Sequence, residues 1–214
     1  MRMSNRWNRL IYRLWAPVYD ATVERIFRDG RRRAMALLAP RPGERVLLVG
    51  VGTGADLPLL PAGVTAIGTD LSEHMLRKAR RKLAASPASI ELVAGDAQTR
   101  LVADRSCDAA MLNLVLSVVP DARACLEASL DALKPGGRAV VFDKFQPDAT
   151  RPSAGRRLAN ALSTVLGTDI TRRLGDMTRG LEVEITHDEP VLMGGMYRVV
   201  MMRKAGARPQ ARGT

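Results

Sequence analysis

The sequence predicts an α/β fold on a mostly parallel sheet, and three observations predict it. Short β-branched or apolar runs such as Arg45 to Val49 and Ile90 to Ala94 alternate with longer helical patterns, the order that lays strands side by side in parallel with helices between them. The run Val46-Leu47-Leu48-Val49 enters Gly50-Val51-Gly52-Thr53-Gly54 directly, an apolar strand passing into a glycine-rich turn. The next two strands end on acids, Asp70 and Asp96, at the sheet edge where such folds hold their ligands.

In chain order, strands are expected near 45–49, 64–68, 90–94, 107–112 and 138–143, and helices near 55–60, 72–85 and 121–133. Ser72 and Asp121 have the side chains of N-caps. Leu133-Lys134-Pro135-Gly136-Gly137-Arg138 makes a tight turn into the fifth strand. A polar stretch, Gln146 to Ser153, then leads to a helical region around Ala154 to Arg179. Glu182 to His187 and Tyr197 to Lys204 alternate in polarity and are expected to pair as an antiparallel edge.

The 214 residues, 46% of them hydrophobic, suffice for one domain with a sizeable core. Cys107 and Cys125 lie in apolar stretches without paired spacing, which fits a reducing interior and gives neither a disulfide framework nor a zinc motif. With His74 and His187 as the only histidines, no metal is expected. The longest apolar run, Ala109 to Val119, is interrupted by Asn113 and Ser117 and is too short to span a bilayer, and the arginines through Met1 to Leu14 exclude a secretory signal. A cytoplasmic, monomeric protein is expected. Its formal charge of +11 sits at the ends: residues 1–38 hold nine Arg against three acids, and residues 203–214 hold four bases and no acid. An anionic partner would be met there.

Glycine lets the backbone turn tightly and approach a ligand closely. Here the spacing is Gly-x-Gly-x-Gly, not the Gly-x-Gly-x-x-Gly of dinucleotide enzymes, and Asp70 closes the next strand 20 residues after Gly50. An acid at that place accepts hydrogen bonds from ribose hydroxyls. In Gly95-Asp96-Ala97 a second carboxylate ends the following strand, where it could receive an adenine amino group.

Over residues 40–145 these motifs resemble the class I S-adenosylmethionine-dependent methyltransferases. The resemblance implies a Rossmann-like seven-stranded, mostly parallel sheet with an antiparallel last strand, helices on both faces and an N-terminal helical cap. It implies S-adenosylmethionine as cofactor. Gly50, Gly52 and Gly54 would then face the methionine part, Asp70 the ribose, and Asp96 with Ala97 the adenine, on which Met75 would pack unless it is a core methionine; Leu71 would also touch the cofactor. The family usually carries an acid two positions before the first glycine, and this chain has Leu48. The missing contact would come from Asn113 or from backbone carbonyls. Within one domain, residues 1–40 would form amphipathic helices, 41–145 the cofactor-binding core, 146–204 the substrate-side helices and final strands, and 205–214 a flexible tail.

Met3 to Ala16 predicts an amphipathic helix, with Trp7, Leu10, Ile11, Leu14 and Trp15 on one side, Arg2, Arg6, Arg9 and Arg13 on the other, and Pro17 to end or kink it. It either packs on the domain with its arginines in water or lies at a bilayer surface near lipid phosphates. Five of the eight aromatic residues precede residue 28. Tyr12, Trp15 and Tyr19 share a side that would suit an ammonium group, with core packing as the alternative.

Tyr12 to Asp20, Gly30-Arg31-Arg32-Arg33 and Val49 to Pro58 resemble the soluble bacterial phosphatidylethanolamine N-methyltransferases, and less closely quinone C-methyltransferases. A phospholipid acceptor at the cytoplasmic membrane face is therefore expected. Tyr19 and Tyr12 are the candidate catalytic residues, orienting the amine; Trp15, Arg156, Arg157, Arg172 and Arg173 are candidates for binding the substrate, the arginines through its phosphate. A ubiquinone or menaquinone C-methyltransferase is the alternative enzyme, and a non-enzymatic S-adenosylmethionine-binding or membrane-interaction protein the alternative of another class. No nucleic-acid partner is expected, because the Asn/Asp-Pro-Pro-aromatic motif of base methylases would stand where the chain reads Asn113-Leu114-Val115-Leu116.

Overall fold

A computed structural model describes residues 25–146 and 172–206. Helix α1 covers 25–38. It is followed by β1 (Arg45–Val49), β2 (Thr65–Asp70), α2 (Glu73–Arg80), β3 (Ser89–Ala94), β4 (Cys107–Asn113), α3 (Ala122–Asp131), β5 (Leu133–Lys144), α4 (Leu174–Thr178), β6 (Val183–Leu192) and β7 (Tyr197–Lys204). The strands form a seven-stranded sheet in the order β3-β2-β1-β4-β5-β7-β6. Every neighbouring pair from β3 to β5 is parallel, and β7 runs antiparallel to both β5 and β6. The sheet is thus Rossmann-like with an antiparallel last strand.

Both faces of the sheet are buried, which explains the nearly unbroken apolar reading of its central strands. Val46 and Leu48 of β1 point into a core shared with α1 and with Leu76 and Ala79 of α2. Leu47 and Val49 point the other way, toward Cys125 and Leu126 of α3 and Leu174 and Met177 of α4. Both cysteines are free and buried.

The expected elements appear with shifted ends. Ser72 and Asp121 cap α2 and α3, accepting from the N–H groups of Met75 and Ala124. The helix expected near 55–60 is only a 3-10 turn, Leu57–Leu59, because Pro58 removes a donor and six residues cannot nucleate a longer helix. The helix expected over 72–85 stops at Arg80 and resumes as a 3-10 turn at Leu83–Ala85. Strand β5 begins five residues early: Cys107 pairs with Leu133 but Ala109 pairs with Arg138, so the Lys134–Gly137 turn bulges out of an otherwise continuous strand. Edge strand β6 runs on to Leu192 and carries Pro190, tolerated because an edge strand has one row of donors without a partner. The helix expected at Met3 to Ala16 and most of the region 154–179 lie outside the described residues, as does the tail beyond 206.

Helix α1 buries Phe27, Ala34, Met35 and Leu38, an i, i+3, i+4 stripe. Phe27 packs edge-on to Phe142 and tilted against Tyr197, with ring centroids 6.1 and 4.9 Å away. Contact is closest at Gly30, where a Cβ would fall 2.2 Å from the Phe142 ring, so only glycine allows the helix to lie on β5. The next residue, Arg31, is thereby held at the edge of the sheet.

The far end of α1 is tied down by Arg138 of β5. Its guanidinium donates to the carbonyls of Leu38 and Ala39 at 2.7 and 3.0 Å and to both carboxylate oxygens of Glu44 at 2.9 and 2.6 Å. That hydrogen bonding holds the Glu44 carboxyl below its ordinary value of 4.5, against an opposing effect of burial. A lowered carboxyl contributes stability that is fully present above its unfolded value and is lost as pH falls through the folded one. In urea denaturation, Arg138→Met is expected to cost about 2 kcal/mol at neutral pH, and Glu44→Gln to flatten the acid arm of the stability curve. An unaltered acid arm in Glu44→Gln would refute the assignment.

Candidate functional site

The strand order reverses direction between β1 and β4, so the loops leaving their carboxyl ends diverge and open a crevice. A cleft with a cavity volume of about 150 Å³ lies there. Its floor is the turn after β1 (Gly50, Val51, Gly52, Thr53 and Ala55). Asp70, Leu71, Ser72 and Met75 come from the end of β2 and the start of α2, Asp96 and Ala97 from the end of β3, and Asn113 from the end of β4. Leu114, Val115, Val118 and Val119 make an apolar wall, and Arg31 reaches in from α1.

The turn is shaped by one carboxylate. Asp70 accepts from the Gly52 N–H through Oδ2 and from the Ser72 N–H through Oδ1, each at 2.8 Å. The glycine turn and the N-terminus of α2 are therefore locked to the same side chain, and each oxygen keeps a lone pair for hydroxyls of a ligand. Burial pushes the Asp70 carboxyl up from its ordinary value, opposed by these two hydrogen bonds. Gly52 sits at φ +56° with nothing nearer to a would-be Cβ than the Gly50 carbonyl at 4.0 Å, so a methyl there would project into open cleft.

At the neighbouring strand end, Asp96 accepts from the Gln98 backbone at 3.0 Å and from its side-chain amide at 2.8 Å. Gln98 accepts in turn from Asp121 N–H at 2.7 Å, so the carboxylate is positioned from the start of α3.

On the other flank, Asp56 is buried between two residues of the cleft. Arg31 Nη1 donates to its Oδ2 at 2.6 Å and Asn113 Nδ2 to its Oδ1 at 3.0 Å. Arg31 Nε and Asn113 Oδ1 are buried and have no hydrogen-bond partner among the described residues. The wall loop, 114–121, starts with Leu114 in the left-handed region at φ +59° and is held from behind. Asp143, fully buried and with its carboxyl pushed up by that burial, accepts from Ser117 N–H at 3.0 Å. Arg172 donates to the carbonyls of Leu116, Val119 and Pro120.

Of the residues expected to hold the cofactor, the structure brings Gly50, Gly52, Asp70, Leu71, Met75, Asp96, Ala97 and Asn113 to one cleft. Gly54 stands off it, facing Leu57 and Ala79. Arg172 supports the wall loop, and Arg173 precedes α4 as its N-cap residue. Tyr12, Trp15, Tyr19, Arg156 and Arg157 lie outside the described residues. Arg31 and Asp56 escaped sequence reading as site residues: an arginine within a run of arginines carries no periodic signal, and Asp56 reads as the start of a turn. Leu48 is buried in the core with Met111 and Phe142 and offers the cleft nothing polar.

The residues fit an adenosyl sulfonium: a bare-backbone cradle at Gly52, a twice-anchored carboxylate for the ribose, and an apolar wall free of competing nucleophiles. Titration calorimetry with S-adenosylhomocysteine tests this. Asp70→Ala should weaken binding about 10- to 100-fold, the value of a charge-assisted hydrogen bond or two. Gly52→Ala should fold with a loss of about 1 kcal/mol yet bind no measurable ligand. Unchanged affinity in either variant would reject the placement.

Comparison with known proteins bears on the same region. Residues 47–141 match the family described as Methyltransferase domain. The phosphatidylethanolamine N-methyltransferase of Cereibacter sphaeroides is 29% identical over 196 residues, 90% of this chain and 95% of that one. The demethylmenaquinone methyltransferase of Renibacterium salmoninarum is 34% identical over 137 residues, and the chain spans 56% of its length. Among solved structures, a SAM-dependent methyltransferase from Thermotoga maritima shares the fold at a TM-score of 0.66 and 23% identity, covering 92% of this chain and 99% of its own. The matched residues 47–141 run from β1 into β5 and build most of the cleft, and over that span the chain is similar to methyltransferase domains, whose S-adenosylmethionine the cleft fits.

Proposed function

We propose that the acceptor is the amine of phosphatidylethanolamine, methylated at a membrane surface. The observation that carries this reading is the extent of the similarity to the Cereibacter sphaeroides enzyme: it takes in 90% of the chain, so it reaches well beyond the 47–141 cofactor core common to many methyltransferases.

Bound S-adenosylmethionine supplies a methyl group on a sulfonium, open to in-line displacement. The protein's part is to hold the acceptor on that line and to keep water away. The wall of Leu114, Val115, Val118 and Val119 supplies the apolar boundary, kept in place by Asp143 and Arg172. A phosphatidylethanolamine amine is protonated at neutral pH and must lose its proton before attack. In this reading Tyr19 or Tyr12 orients it, and Trp15 packs beside it. Arg156, Arg157 and Arg173 are the cations for the lipid phosphate, with Arg172 serving them through the loop it supports. The amphipathic stretch Met3 to Ala16 sets the protein, as a monomer, on the cytoplasmic face of an anionic membrane, weakly and in a salt-dependent way. Among the described residues no helix is long and apolar enough to cross a membrane.

A second reading, methylation of a quinone precursor, is favoured by the higher identity to demethylmenaquinone methyltransferases, 34% against 29%, though over fewer residues. Transfer of tritiated methyl to phosphatidylethanolamine vesicles, quinone precursors and RNA in parallel separates the readings. Label is expected in the lipid; label in the quinone alone would overturn the first reading in favour of the second. Replacing both Tyr12 and Tyr19 by Phe should lower lipid turnover about 100-fold with S-adenosylhomocysteine affinity unchanged, and full turnover in that variant would remove them from the reaction.

A further inference from the structure

The nucleoside end of the cofactor does not account for the flank of the cleft beyond β1. Asp96 ends β3 and Asp70 ends β2, so adenine and ribose laid against them place the amino-acid end over the next strands in the sheet, β1 and β4. That end is a zwitterion, a carboxylate and an ammonium on one carbon, and needs a donor and an acceptor close together.

Two such atoms stand there. Arg31 Nε, a donor, and Asn113 Oδ1, an acceptor, are both buried and without a hydrogen-bond partner among the described residues, and both residues line the cleft. Burying either atom without a partner is costly in a folded protein, so a pair of opposite kind in one cleft points to a ligand with the complementary pair. Their orientation is not free. Asp56 takes Arg31 Nη1 on one oxygen and Asn113 Nδ2 on the other. An amide that gives its N–H₂ to a carboxylate must turn its oxygen away from it, so the Asn113 oxygen is committed as an acceptor on the side away from Asp56. Asp56 does not line the cleft; it holds the two residues that do.

We propose that Arg31 and Asn113, cross-braced by Asp56, bind the carboxylate and the ammonium of the cofactor's amino-acid end. In the resembling family an acid two residues before the first glycine stands at this end of the site. Here that position is Leu48, buried on the face of the sheet that α1 covers, and α1 itself brings Arg31. The inference rests on the cofactor, not on the choice of acceptor.

Calorimetry with three nucleosides tests it: S-adenosylhomocysteine, its decarboxylated analogue, and 5′-methylthioadenosine, which lacks the amino-acid end. Wild-type protein should bind S-adenosylhomocysteine about 10- to 100-fold more tightly than the decarboxylated analogue, and 5′-methylthioadenosine no more tightly than that analogue. Arg31→Met should lose that preference for the carboxylate and bind 5′-methylthioadenosine as wild type does. Asn113→Ala should weaken S-adenosylhomocysteine about 3- to 10-fold, again sparing 5′-methylthioadenosine. The proposal is overturned if Arg31→Met still prefers the carboxylated ligand, or if it weakens all three ligands equally, as a purely structural arginine would. Equal affinity of wild type for S-adenosylhomocysteine and 5′-methylthioadenosine overturns it without any variant. A protein that methylates a quinone and not a lipid would leave every one of these affinities as stated.

Discussion

The cleft depends on a carboxylate buried where it is expensive to bury one. Asp70 is held between the N–H groups of Gly52 and Ser72, and those two bonds offset part of the desolvation that pushes its carboxyl up. In return the side chain joins the two pieces of backbone that must face a ligand together, the glycine turn after β1 and the first turn of α2. An unanchored turn rich in glycine would sample many conformations; tied to Asp70 it presents one.

Around that anchor the other flanks are braced from behind by residues outside the cleft. Gln98 positions Asp96, Asp56 positions Arg31 and Asn113, and Asp143 with Arg172 positions the wall loop. The pattern places polar bracing groups off the cleft and leaves its interior largely apolar toward the reacting centre. Arg172 links this bracing to the chain beyond β5: its backbone carbonyl accepts from Gln146 N–H at 2.8 Å while its guanidinium grips the 114–121 loop.

Helix α1 connects the fold to the site. Its packing is set by an aromatic cluster and by the absence of a side chain at Gly30, and those same contacts decide where Arg31 falls. A residue of the cleft is therefore positioned by core packing more than ten residues before the glycine turn begins.

The sequence by itself determined the parallel core, both helix caps, the glycine turn and the strand-end acids. These signals are local: alternation, capping chemistry and spacing act within a few residues and survive in one dimension. Tertiary structure alone decided that Gly54 faces Ala79 instead of the cleft, that Arg172 braces a loop, and that the α1 arginine beside Gly30 meets an aspartate 25 positions later, which also holds the asparagine at the end of β4. Those pairings join elements far apart in the chain, and a charged side chain reads the same whether it faces solvent or a buried partner. Only the packing of α1 over Phe142 and the reversal of strand order between β1 and β4 bring them within hydrogen-bonding distance.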